Sequence, residues 1–130
     1  RLLLDTHILI WMANKPEELS GKERRALLDP NALLLLSVVS LWELRLKRDI
    51  LNRRNERKGE LDPADALAFA KRNGVEIVPL TWETAIAALP VPVVNADPFD
   101  RMLLTHAQQI EAKLLTRDAK LRDHPLVVVA

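Results

Sequence analysis

Cysteine is absent from the chain. Its absence removes disulfides and thiolate metal sites, and it is compatible with a reducing, cytoplasmic setting. No apolar run approaches the roughly 18 residues that a membrane span needs, and no signal-peptide pattern opens the chain, so no membrane role is expected. GxxxxGK[ST] and GxGxxG loops are both missing, which leaves P-loop nucleotide hydrolysis and Rossmann cofactor binding without support. The three histidines, His7, His106 and His124, show neither an HExxH pattern nor close ligand spacing, and read as surface or boundary packing. Aromatic residues make up only 4% of the chain. Trp11, Trp42 and Trp82 read as core or interface anchors rather than as a stacking platform for single strands. Neither sign of charge dominates, with 19 basic against 18 acidic residues and a net charge of +1. That balance neither requires nor excludes a nucleic-acid partner.

What is present suits one α/β domain over residues 1–130. Hydrophobic residues form 48% of the 130 and charged residues 28%, the balance of a folded chain with a solvated surface. Leu2 to Leu4 reads as a buried central strand that ends on Asp5, with a helix from about His7 to Ala13 behind it. Ser20 and Glu23 have capping-box spacing for a helix ending near Asp29-Pro30. Leu33 to Leu36 is a second strand and Val38 to Asp49 a helix. Asp62-Pro63 starts a further helix that stops at Asn73, with Gly74 just beyond. Val75 to Leu80 reads as a third strand, and Thr81 caps a short helix through Ala88. Leu89 to Val94, with two prolines, reads as an extended connection. Asp97 and Pro98 start a helix to about Glu111, followed by strands at Lys113 to Thr116 and Leu126 to Val129. Alternation of this kind implies three layers around a mainly parallel sheet of four to five strands.

The chemistry lies in carboxylates. Asp5 ends a strand, where α/β sheets open their crevices, although it also suits a helix cap. On the Val38 helix, Val39, Trp42, Leu46 and Ile50 share a face, and Glu43 falls within that apolar arc. Such an acid is either in a buried salt bridge or a ligand to something positive. Asp97 suits a cap, whereas Asp100 borders the buried stripe of its helix and can face a crevice. Asp118 follows a strand. Asp5, Glu43, Asp100 and Asp118 can converge at one sheet edge, and four close carboxylates repel unless a hard cation such as Mg²⁺ or Mn²⁺ joins them. Thr6, Ser40 and Thr116 are placed to support them or a phosphate. Between Arg45 and Lys58 seven basic residues face two acids, a local charge of +5 that suits either a phosphate-attracting patch or a solvated loop. Lys47, Arg45, Arg53 and Arg54 from that run, with Arg101, are the candidate substrate contacts.

Four stretches together carry a resemblance. Leu2-Leu3-Leu4-Asp5-Thr6-His7 with Trp11, Ser40-Leu41-Trp42-Glu43-Leu44 with Lys47, Asp97-Pro98-Phe99-Asp100-Arg101, and Leu115-Thr116-Arg117-Asp118 resemble the PIN-domain ribonucleases, especially VapC toxins of toxin–antitoxin pairs. The resemblance implies a PIN fold and a hydrolase, an endoribonuclease dependent on Mg²⁺ or Mn²⁺. Asp5, Glu43 and Asp100 match the three central acids of the family, Asp118 the fourth and Asp97 an accompanying one. It also implies a homodimer and a cognate antitoxin. Arg45, and Asn95-Ala96 in place of a His-containing approach, depart from the pattern and bear on groove shape and substrate preference. Two readings compete with the nuclease, a phosphoacceptor receiver-like domain and a noncatalytic PIN-like binding module.

Overall fold

A computed structural model describes residues 1–53, 61–93 and 97–129. Its five strands are β1 (Leu2–Leu4), β2 (Leu34–Ser37), β3 (Glu76–Val78), β4 (Lys113–Thr116) and β5 (Val127–Val129). They form one sheet in the order β3-β2-β1-β4-β5. All four neighbouring pairs are parallel, with Leu3 opposite both Leu35 and Leu114. Parallel neighbours need crossover connections, and the helices supply them: α1 (Thr6–Asn14), α2 (Gly21–Leu28), α3 (Val38–Arg53), α4 (Pro63–Arg72), α5 (Trp82–Ile86) and α6 (Pro98–Gln109).

The leucine run of β1 suits this position because both faces of the sheet are covered. Successive strand side chains point to opposite faces. Leu2 and Leu4 accordingly pack with Ile8, Leu9, Leu44, Ala66 and Ala70 in one cluster, and Leu3 packs with Val39, Leu103, Leu104 and Ala107 in another. The three-layer expectation holds.

Local signals set the helix starts. Ser20 and Glu23 form the complete capping box of α2. The Asp62, Thr81 and Asp97 side chains cap α4, α5 and α6. Gly74 takes a φ of +72°, where a side chain would be strained. The ends differ from the sequence reading by a few residues: α1 begins at Thr6, α3 extends to Arg53, and α5 stops at Ile86.

Two expectations are corrected. The buried face of α3 is Val39, Ser40, Glu43 and Leu44, whereas Trp42 is 58% and Ile50 41% exposed. The helix is turned by about a quarter of a turn from the face that holds Trp42 and Ile50. The cause is its start: it follows β2 without a linker, and the Val39 amide donates to Ser37 Oγ at 3.0 Å. Trp82, 71% exposed, is likewise no core anchor. The second correction is His106, which is buried rather than at the surface, with Nδ1 2.8 Å from Ser37 Oγ. Burial lowers its pKa, opposed by a bond to the Pro79 backbone. It fastens α6 to the start of α3, the two helices that carry Asp100 and Glu43.

Leu4 is fully buried immediately before Asp5. Leu4→Ala is expected to cost about 2–5 kcal/mol of unfolding free energy, measured by urea denaturation.

Candidate functional site

The sheet order reverses beside β1, with β2 and β3 on one side and β4 and β5 on the other. At such a switch point the connections depart to opposite faces, leaving a crevice at the carboxyl ends of the strands. Asp5 directly follows β1, and Asp118 lies two residues beyond β4. With Glu43 of α3, and Asp97 and Asp100 at the start of α6, they line a cleft of about 340 Å³. His7, Trp11, Lys47 and Arg117 complete its walls.

Each acid is held differently. Asp5 is only 9% exposed, and its Oδ2 accepts a 2.8 Å bond from Thr116 Oγ1. Its side chain makes no capping bond to α1, so the cap reading does not account for its carboxylate. Burial raises its pKa and Glu43 adds to the rise, against the Thr116 bond, the charge of His7 and the Thr6 backbone. Glu43, also buried, has Oε1 2.8 Å from Thr6 Oγ1 and Oε2 2.8 Å from Lys47 Nζ. Thr6 Oγ1 lies equally close, at 2.8 Å, to Ser40 Oγ. A hydroxyl has one proton and a carboxylate only accepts, so Thr6 donates to Glu43 while Ser40 donates to Thr6.

Asp97 is an exposed cap whose Oδ1 accepts from the Asp100 amide at 2.8 Å. Asp100, half-buried, has its pKa pushed up to about 7, first by desolvation and then by the charges of Asp97, Asp5, Asp118 and Glu43. Asp118 Oδ1 accepts from the Lys120 amide at 2.9 Å, and its own amide donates to Thr116 Oγ1 at 3.1 Å. One threonine thus braces both strand-end acids.

Five acids and Lys47 therefore meet at the cleft, with Thr6, Ser40 and Thr116 behind them. Arg45 and Arg101 do not line it. Arg45 pairs with Asp49 on the exposed side of α3, and Arg101 borders a separate groove with Thr84, Ala85 and Pro98. Arg54 and the Arg53 side chain lie outside the described residues, as do Asn95 and Ala96.

The sequence reading missed Arg117 and Glu23. Glu23 is fully buried, and Arg117 Nε and Nη2 reach its carboxylate at 3.1 and 2.5 Å. Arg117 Nη2 also reaches the Glu18 carbonyl at 2.5 Å, and the guanidinium lies 4.1 Å from the Trp11 ring centre. This clamp holds the β4 loop against α1 and α2. The capping box identified Glu23 as a cap, but nothing in the sequence pointed to a partner 94 positions away.

In kind, the cleft's acids suit a hard divalent cation: they offer carboxylate oxygens that are crowded together and partly buried. As arranged, however, no three Asp, Glu or His side chains among the described residues form a ready cluster for a metal. A cation held here would need the acids to draw closer together.

The Asp100 shift has a definite sign. Its folded pKa, about 7, exceeds the ordinary carboxylate value of 3.8, so the ionised form opposes folding above pH 7 and this cost fades as pH falls toward 4. In metal-free buffer, Asp100→Asn is expected to melt about 2–4 °C above wild type at pH 8, solvent screening keeping the effect modest. The gain should shrink as pH falls and vanish only below about pH 4 in paired thermal melts.

Comparison with known proteins agrees with this architecture. The fold matches VapBC2 from Rickettsia felis, solved bound to a DNA fragment from its promoter, with a TM-score of 0.67 and 20% identity over 99% of this chain and 96% of that one. It also matches a toxin–antitoxin complex from Klebsiella pneumoniae, with a TM-score of 0.58 and 17% identity over 99% and 97% of the two chains. A search among curated proteins gave no match. The PIN domain family model matches residues 2–125, nearly the whole length, and the chain belongs to the PIN domain family.

Proposed function

We propose that this chain is a Mg²⁺- or Mn²⁺-dependent endoribonuclease that hydrolyses RNA phosphodiesters with water, acting as a VapC-like toxin in the cytoplasm. One observation carries the reading: Asp5, Glu43, Asp100 and Asp118, far apart in sequence, line a single cleft at the sheet's switch point. A divalent cation bound there would supply Lewis acidity, lowering the pKa of a water and offsetting charge on the phosphate.

The chain's own groups do the rest. Thr116 fixes Asp5, and Thr6, itself oriented by Ser40, holds one oxygen of Glu43, so hydroxyls restrain both carboxylates before any ligand arrives. Asp100 holds a proton for much of the time near neutral pH and must release it before both its oxygens can act as ligands. Asp118 is the fourth acid, and Asp97, occupied as a cap, is secondary. Lys47 is the cleft's basic candidate for a phosphate contact. Arg45, Arg53, Arg54 and Arg101 are proposed to meet more distant phosphates of the strand.

A partner protein is part of the proposal. One of the similar structures is a toxin–antitoxin complex, and this chain exposes Leu28, Trp42, Trp82 and Ile86, apolar side chains that an antitoxin or a second copy would cover. The receiver-like alternative loses its support to the PIN family match. A noncatalytic PIN module is the remaining rival, favoured by the lack of a ready metal cluster among the described residues.

Cleavage of a total-RNA pool with Mn²⁺ separates the two. The wild type is expected to cut RNA to 5′-phosphate and 3′-hydroxyl ends, and Asp5→Asn to be slower by about 100-fold or more. Equal cleavage by both proteins would remove the site assignment, and 2′,3′-cyclic phosphate ends would exclude water as the nucleophile.

A further inference from the structure

Both oxygens of Glu43 are engaged: Oε1 faces Thr6 Oγ1 and Oε2 faces Lys47 Nζ, each at 2.8 Å. Lys47 lies one helical turn after Glu43 on the same face of α3, the favourable order for such a pair. Exposed pairs of this type hold weakly. This one is lopsided, since the Glu43 side chain is 8% exposed against 39% for Lys47. The carboxylate depends on its cation, whereas the ammonium can return to water along its flexible stem. Lys47 also lines the same cleft as Asp5, Asp100 and Asp118, so its charge sits where a divalent cation would have to act.

We infer that Lys47 is a built-in competitor of the divalent cation: it neutralises Glu43 in the metal-free cleft and must be displaced from Oε2 when the cation binds, so it weakens and thereby sets the metal affinity. Its role is that of a positioning residue that keeps Glu43 turned to its own helix. This also accounts for the acids not being gathered into a ready cluster among the described residues. By contrast, Glu23 is neutralised by Arg117 in a bidentate contact backed by Trp11 and the Glu18 carbonyl, an arrangement with little freedom to exchange.

The inference rests on the metal site proposed above, and calorimetric titration of the intact protein with Mn²⁺ at pH 8 and low salt tests the two separately. Lys47→Met is expected to bind Mn²⁺ about five- to tenfold more tightly than wild type, the order of effect that one unit charge close to a divalent ion has in a water-filled cleft. Equal or weaker binding by the variant, with wild type binding normally, would overturn the competitor role and leave the metal site standing. No binding by either protein would overturn both. A second measurement needs only unaltered protein: the Lys47 ammonium resonance should shift with added Mg²⁺ and saturate along the binding curve. A resonance indifferent to Mg²⁺ would contradict displacement.

Discussion

Mutual repulsion among carboxylates in a partly dry cleft is the constraint on which the rest of the site depends. Asp5 sits at the end of a central strand, nearly shielded from water, and Asp100 feels the charges of four neighbouring acids. Burial and like charge both favour the protonated form. A fold that gathers such groups gives up stability locally, and the leucine clusters on both faces of β1 supply the rigid support that keeps them there.

Glu23 and Glu43, both buried, show how differently this chain treats negative charge. Glu23 is matched by Arg117, whose planar fork, stacked on Trp11, makes a fixed joint between the β4 loop and α2. Glu43 is matched by Lys47, a point charge on a flexible stem in the wall of the cleft. The first pair builds the wall of the site and the second lies within it. Around Asp5, Asp118 and Asp97 the bonds come from neutral donors, the Thr116 hydroxyl and the Lys120 and Asp100 amides. Neutral donors orient a carboxylate without cancelling its charge, which leaves the cleft negative toward a cation.

Much of this was legible because it is local. The leucine run of β1, the capping box at Ser20, Asp97 before Pro98, and Gly74 beyond α4 are set by neighbours a few residues away, and the structure places them as read. Glu43 stood out as an acid on an apolar arc, and it is buried. The rotation of α3 was misread because the weight of Trp42 pulled the apparent face outward, whereas the direct β2–α3 junction fixes the helix. Ser37 with His106 and Glu23 with Arg117 join positions 69 and 94 apart, beyond the reach of periodicity. Strand order also escaped periodicity, yet it is the order that puts Asp5 beside Asp118 at the switch point.

These carboxylates are proposed to take one kind of ligand, a divalent cation. A crystal of the protein soaked in Mn²⁺ and measured at a wavelength where manganese scatters anomalously tests it most directly. A peak is expected in the cleft, roughly 2.0–2.3 Å from carboxylate oxygens of Asp5 and Asp100 and within reach of Glu43 or Asp118. A cleft without an anomalous peak at saturating Mn²⁺, or a peak bound only elsewhere on the surface, would contradict the account.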